Sequence, residues 1–313
     1  MIALWAMACA SYQLVDDACQ DSVRGDHHAT TDGPEGVRRM NCYRTLAGLR
    51  RVRVEPNLQE AAEGHLSWMI THDVTTSVQD PDSEGFTGVT PLDRIEASDY
   101  PMDLGQYGYW YGDLEDDTID LFELVDGWMA SPYARQFVLQ LDQGDVGLAV
   151  REGLVASLST YDNPPLEHSS NPLVYPVDGQ EQVPMDYPVL GARGDDGVPR
   201  DQPLGYPITV SVGSAYFVRY GGQADPYELR VSDPVLEGPS GPVPLYPLTA
   251  ADTPYDLTYT VGLFPLEPLE PLSSYRFTAT VSWLSDQDET SEKNLDVTWN
   301  TAAAQASGYA ETQ

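Results

Sequence analysis

Helical periodicity is confined to the first half of this chain, and this asymmetry constrains its fold most. One face of an amphipathic helix needs apolar residues at i, i+3, i+4 and i+7, a spacing met by Leu58, Ala61, Ala62, His65, Leu66 and Met69. Shorter stripes begin near Gly36 and Leu121, residues 73–90 are predicted as a loop, and two strand-like runs cover 145–150 and 154–160. The later runs alternate apolar and polar residues between turns. The sequence therefore predicts an α+β domain followed by an all-β sandwich.

The predicted domain boundaries follow this change of pattern. A chain of 313 residues has room for two domains. Residues 1–35 are predicted as a signal remnant and an N-terminal arm, and residues 36–165 as the α+β domain. The β-sandwich is predicted over 166–303, and residues 304–313 are predicted as a tail.

The charge of the chain excludes some classes of partner. There are 49 acidic and 16 basic residues, which gives a net charge of -33, and Lys293 is the single lysine. Such a surface repels phosphate backbones and anionic membranes, so nucleic acid is not an expected partner. We interpret the charge as support for solubility in a salty medium, in preference to one specific cationic partner.

The N-terminus and the cysteines give expectations about export. The run Ala6-Met7-Ala8-Cys9 resembles a loose lipoprotein signal, which would place a lipid on Cys9. A misassigned start codon or a frayed terminus is the alternative explanation. Membrane anchoring is expected only through that lipid. Without C-x-x-C spacing the three cysteines do not indicate zinc, and a disulfide between Cys19 and Cys42 would tie the arm to the first helix.

Five short motifs in the first half carry a family resemblance. In chain order they are Asn41-Cys42-Tyr43-Arg44 with Gly48-Leu49, the Leu58 to Met69 stripe, Phe86-Thr87-Gly88 with Asp93-Arg94-Ile95, Trp128-Met129-Ala130-Ser131-Pro132 with Arg135, and Asp145-Val146-Gly147-Leu148-Ala149. This series resembles the CAP (SCP) superfamily, which includes cysteine-rich secretory proteins, antigen 5 and pathogenesis-related proteins, in its bacterial form. The resemblance implies an α/β/α sandwich around a mainly antiparallel sheet. It also implies a cleft with histidines and acidic residues, which bind a divalent metal in some members.

At three positions the sequence departs from the family pattern. Ser77 stands where the resemblance implies a first histidine, Gln106 where it implies a glutamate, and Ala134 where it implies a second histidine. Gln106 cannot act as a general base and Ala134 offers no functional group. The sequence therefore predicts a degenerate, non-catalytic cleft with no metal and no cofactor.

His72 offers an alternative. If the alignment slips in the loop, His72 replaces the missing first histidine, with Glu84 or Glu123 as its carboxylate, and the chain is an active hydrolase or a metal-binding protein. The other interpretation is that His65 and His72 are packed structural histidines, since one imidazole does not rebuild the site.

Aromatic residues indicate a second use for the cleft. Tyr107, Tyr109 and Trp110, with Trp128 and Arg135, are predicted to line a binding surface, although core packing explains the aromatic residues equally well. The ligand class stays open between a lipid, a glycan and a protein. The sequence thus predicts a secreted or envelope-associated binding or scaffold module.

The second half resembles bacterial immunoglobulin-like domains. The resemblance rests on Val174 to Gln180 with Val183-Pro184, on Gly205 to Val210, on Leu269 to Phe277 and on Val297 to Thr301. It implies a sandwich that acts as a spacer. A structural, adhesin-like surface protein, in which this domain is the working part, is the third functional hypothesis.

Overall fold

The computed structural model describes thirteen segments of the chain, namely residues 35–101, 107–113, 121–141, 143–152, 154–161, 172–187, 198–199, 202–212, 229–249, 251–252, 257, 260–284 and 290–304. For residues 35, 107–113, 121–123, 161 and 284 it describes the backbone alone. The described residues fall into two compact units. The N-terminal unit contains residues 35–127 and 137–161, and the C-terminal unit contains residues 128–136 and 172–304.

Helices and strands alternate through the first half of the chain. The elements are α1 (Glu35–Leu46), β1 (Arg53–Val54), α2 (Pro56–His72), α3 (Pro91–Ala97), β2 (Tyr107–Asp113), α4 (Leu121–Ala130), α5 (Pro132–Leu139), β3 (Gln143–Arg151) and β4 (Leu154–Tyr161). The mixture of helix and strand confirms the predicted α+β class. Helix α5 was not predicted from the sequence. The end of α4 and the start of α5 form the segment Trp128–Gln136. This segment was predicted to belong to the first domain, and it clusters with the C-terminal unit.

Helix α2 begins at Pro56, because proline has no N–H to lose in the first turn. The Glu55 carboxylate caps the helix by accepting from Leu58 N at 2.9 Å. The helix ends at His72; the next residue, Asp73, has a left-handed backbone (φ 52°) and donates its N–H to the Ile70 carbonyl. Both ends of α2 are thus fixed by local chemistry.

The sheet of the N-terminal unit has the strand order β1-β3-β4-β2, with β1 and β3 parallel and the other pairs antiparallel. Helix α2 packs on β3 and β4 through a core of Leu58, Ala61, Ala62, Leu66, Trp68, Met69, Ala149, Ala156 and Leu158. The opposite face of β4, which carries Val155, Ser157 and Ser159, is buried as well. Both faces of β4 are therefore covered, as a three-layer arrangement requires.

The C-terminal unit contains two sheets. Its strands are β5 (Leu173–Tyr175), β6 (Gln180–Val183), β7 (Ile208–Ser211), β8 (Arg230–Gly238), β9 (Gly241–Val243), β10 (Leu245–Leu248), β11 (Thr260–Pro265), β12 (Ser274–Leu284) and β13 (Thr290–Thr301). One sheet has the order β10-β11-β7-β5 and the other β6-β13-β12-β8-β9. Along β13 every second residue from Leu295 to Thr301 is buried. This period-2 burial agrees with the predicted β-rich second half, and the immunoglobulin-like assignment stays a prediction.

None of the helices in the described segments is long and apolar enough to cross a membrane.

Candidate functional site

His65, on the buried face of α2, lies at the centre of a hydrogen-bonded network. Its Nε2 is 2.8 Å from the Thr76 carbonyl oxygen, and its Nδ1 is 2.8 Å from Nε2 of Gln79. A carbonyl only accepts, so Nε2 of His65 carries the proton and Nδ1 accepts from the Gln79 amide. The imidazole is therefore a neutral tautomer that its neighbours fix, and both of its nitrogens are engaged.

Burial, and after it the nearby Arg94 guanidinium, lower the pKa of His65 from 6.5 to about 4. The ring stacks on Trp68 with 5.9 Å between the ring centroids. A buried, neutral imidazole of this kind does not exchange protons with a substrate near neutral pH. The geometry supports the structural interpretation of His65.

The low pKa of His65 predicts a pH-dependent stability of the N-terminal unit. The unfolded chain takes up a proton near pH 6.5 and the folded chain near pH 4. The contribution of neutral His65 to the free energy of unfolding is thus fully present above pH 6.5. It is lost as the pH falls from 6.5 to 4, by about 3 kcal/mol in total. We expect urea midpoints at pH 7 and pH 4.5 to show this loss in the wild type and much less of it in His65→Gln. An equal loss in both proteins would contradict the assignment.

The loop that joins α2 to α3, residues 73–90, is folded around this histidine; we call it the α2–α3 loop. The side chain of Gln79 is buried, and its Oε1 accepts from the Thr87 N–H at 2.8 Å while its Nε2 is 3.0 Å from Thr87 Oγ1. Arg94, also buried, donates from Nη1 to the Gly88 carbonyl and from Nη2 to the Ser77 carbonyl. Ser77 thus contributes a backbone carbonyl to this network.

His72 lies in the last turn of α2, two turns after His65 on the same side of the helix. Its Nε2 is 2.9 Å from the Glu84 carbonyl oxygen, and its ring centroid is 4.8 Å from that of Trp68. The indole N–H of Trp68 donates to Ser83 Oγ at 2.7 Å. The contact between His72 and Glu84 is with the backbone of Glu84, so it does not form the imidazole–carboxylate pair of a general base. The side chain of Glu123 lies outside the described residues.

A second polar cluster joins three strands of the N-terminal sheet. Asp145, nearly buried on β3, accepts two hydrogen bonds from Arg53 at 2.9 and 3.1 Å and one from the Tyr100 hydroxyl at 2.9 Å. The same hydroxyl is 3.1 Å from Thr160 Oγ1 on β4. Burial raises the pKa of Tyr100 to about 12, so its phenol stays protonated. Every group in this cluster has a partner, and the cluster fixes the start of β3.

Arg135, predicted to line a cleft, is 1% exposed. It donates from Nε to the Met129 carbonyl and from Nη1 to the Pro207 carbonyl, each at 2.7 Å. Its guanidinium carbon lies 4.8 Å from the ring centroid of Tyr175 and 4.9 Å from that of Tyr206. Trp128 and Ala134 are buried too, at 4% and 8% exposure. The cleft assignment of Trp128 and Arg135 stays a prediction, and the contacts shown are packing contacts.

Several predicted site residues lie outside the described residues. Gln106, Cys9 and Cys19 are among them, and for Tyr107, Tyr109 and Trp110 only the backbone in β2 is described. Cys42 is disulfide-bonded, and its pairing with Cys19 stays a prediction. Within the described segments no group of three His, Cys, Asp or Glu side chains is placed to hold a metal ion.

Comparisons with known proteins give two partial similarities. No family profile and no curated protein matches the chain. Part of it is similar to an extracellular protein containing an SCP domain from Bacillus anthracis str. Ames, with 16% identity and a TM-score of 0.35 over 41% of this chain and 39% of that chain. It is also similar to an outer surface protein from Borrelia burgdorferi, with 15% identity and a TM-score of 0.33 over 41% of this chain and 90% of that one. The similarity thus spans less than half of the Bacillus protein.

Proposed function

We propose that this chain is an exported binding or scaffold module, with a CAP-like N-terminal unit that performs no imidazole-dependent chemistry. The observation that carries the proposal is the state of His65 and His72. Both rings hydrogen-bond to backbone carbonyls of the α2–α3 loop, and the His65 nitrogens are both engaged. General base catalysis and zinc binding each need an imidazole nitrogen that is free to accept, and His65 has none. His72 donates from Nε2 to a backbone carbonyl, and among the described residues it belongs to no group of three His, Cys, Asp or Glu side chains that could hold a metal ion.

The residues at the positions where the sequence departs from the CAP family pattern support the same proposal. Ser77 supplies a carbonyl to Arg94, and Ala134 is a buried methyl group. The five motifs that resemble the CAP family have structural roles where the structure describes them. In particular, Thr87 and Arg94 hold the α2–α3 loop in place. Structural roles for these motif residues, with no reactive side chain at Ala134, fit a scaffold or binding module better than an enzyme.

The place of action and the role of the second unit complete the proposal. The chain is exported, anchored through a lipid on Cys9 or released, and its acidic surface keeps it soluble. The immunoglobulin-like unit serves as a spacer that presents the N-terminal unit. The ligand of the chain is not a nucleic acid, because a net charge of -33 repels the phosphate backbone.

An activity assay with a matched variant tests this proposal. The full chain is incubated with peptidoglycan and with casein, and the release of soluble fragments is compared with that of the His72→Ala variant. We expect no release above the buffer blank from either protein. Release by the wild type that disappears in a folded His72→Ala variant would overturn the proposal and establish a hydrolase.

A further inference from the structure

The α2–α3 loop combines a buried polar side chain with exposed apolar ones. The side chain of Gln79 is 1% exposed and faces His65. Its large apolar side chains are exposed, at 38%, 51%, 39% and 37% for Val74, Val78, Phe86 and Val89. Only six large apolar residues are exposed in the described part of the chain, and these four lie within residues 74–89. Apolar exposure is thus concentrated on one loop.

Hydrogen bonds hold these apolar side chains in place. The two arms of the loop meet where Gln79 N–H donates to the Val89 carbonyl at 3.0 Å and Thr87 N–H donates to Gln79 Oε1 at 2.8 Å. Val78, Phe86 and Val89 therefore flank one crossing point. Arg94 fixes both arms by donating to the Ser77 and Gly88 carbonyls. A surface that is fixed before binding loses little conformational entropy when a partner docks.

The charges around the apolar residues indicate the chemistry of the partner. Asp73, Asp80, Asp82 and Glu84 are all exposed in the loop, and the loop contains no lysine or arginine. An exposed apolar surface with a polar rim is typical of an interaction site. A rim of carboxylates favours lysine and arginine on the partner and disfavours anionic lipid or nucleic acid. The overall charge does not point to a partner; this local combination of fixed apolar groups and carboxylates does.

We propose that the α2–α3 loop is a docking surface for a protein segment that carries apolar side chains flanked by lysine or arginine. The inference deepens the proposed function, on which it rests, by naming the surface and the partner class. Val78 and Phe86 supply the apolar contact, and the carboxylates of Asp80, Asp82 and Glu84 set the orientation and the salt dependence.

Selection from a library of random short peptides displayed on phage tests the docking surface. The bait is the full chain, with counter-selection on the Val78→Ser/Phe86→Ser double variant. A Val235→Ser/Leu272→Ser double variant is the matched control, because these two side chains are also exposed, at 41% and 74%, but belong to the C-terminal unit. Circular dichroism checks that both variants keep the wild-type fold, as substitutions of exposed side chains should. Affinities of individual synthetic peptides are then measured by fluorescence anisotropy.

We expect the selected peptides to combine apolar residues with lysine or arginine. Their affinity should fall about tenfold or more in Val78→Ser/Phe86→Ser and stay within about twofold in the control variant. It should also fall with added salt, and much less steeply in an Asp80→Asn/Asp82→Asn/Glu84→Gln variant.

Other results would overturn the docking surface. They are equal loss of binding in both double variants, selection of peptides without basic residues, or no enrichment at all. Vesicles of phosphatidylcholine that bind the wild type and not Val78→Ser/Phe86→Ser would assign the loop to a lipid surface instead. Each of these results leaves the proposed binding module standing, whereas hydrolysis lost in His72→Ala overturns that module whatever the peptides do.

Discussion

Replacing Gly147 by alanine is expected to lower the stability of the N-terminal unit by about 3 kcal/mol or more. A Cβ atom at this position on β3 would lie 2.2 Å from the Leu58 carbonyl oxygen and 2.6 Å from Gln59 N. These are backbone atoms of the first turn of α2, so no side chain can move aside. The turn lies this close because the Gln59 amide bonds both backbone groups of Leu148, at 2.9 and 3.0 Å.

Thermal unfolding followed by far-UV circular dichroism measures this effect, because the helices dominate the signal. A loss of about 3 kcal/mol corresponds to roughly 6–12 °C in Tm for a domain of this size. Gly127→Ala is the matched control: it lies in α4, and a Cβ there meets nothing within 4 Å. We expect Gly127→Ala to leave stability unchanged or raise it by up to about 1 kcal/mol. A Tm within a degree or so of wild type for Gly147→Ala would contradict the close packing of α2 on β3.

Replacing Arg135 by alanine is expected to destabilise the C-terminal unit by about 3–5 kcal/mol. The buried guanidinium donates to the Met129 and Pro207 carbonyls and lies between the rings of Tyr175 and Tyr206. Met129 belongs to the last turn of α4, where carbonyls lack helical partners and the helix dipole favours a cation. Among the described residues no carboxylate pairs with Arg135. Carbonyl dipoles and π faces therefore stabilise its charge, and alanine would remove all of these contacts together.

Hydrogen–deuterium exchange shows which of the two units loses stability in Arg135→Ala. Arg135→Ala should raise exchange in β5 and β7, whose residues Tyr175 and Thr209 contact the guanidinium, and leave α2 protected. Arg135→Lys keeps the charge and the alkyl stem but lacks the planar donor fork, so a smaller loss, about 1–2 kcal/mol, is expected. Wild-type protection of β5 and β7 in Arg135→Ala would contradict this account.

The boundaries of α2 and α3 are set by local signals in the sequence. Pro56 and Glu55 begin α2, and Thr90 with Asp93 forms a capping box before the Pro91 start of α3. The apolar spacing of α2 also predicted the face that packs on the sheet. Such features depend on residues within about one turn of each other, so the sequence shows them directly.

The features that were missed depend on distant contacts. Arg135 bonds to residues 72 and 74 positions later in the chain, which no local pattern reveals. The same holds for Gln79, whose amide meets His65 across 14 positions. Residues 73–90 were predicted as a loop. Four large apolar residues among its acidic and small residues were the available signal for a docking surface, but without periodicity they do not show which side is exposed.

Titration of the full chain with Zn²⁺ by isothermal calorimetry tests the central claim most directly, with His72→Ala as the matched variant. If His65 and His72 are structural, the wild type gives no saturable one-to-one binding in the micromolar range, and the two proteins give the same weak heats from surface carboxylates. Tight one-to-one binding by the wild type that is lost in His72→Ala would contradict the claim, because it would establish a working metal site at the α2–α3 loop.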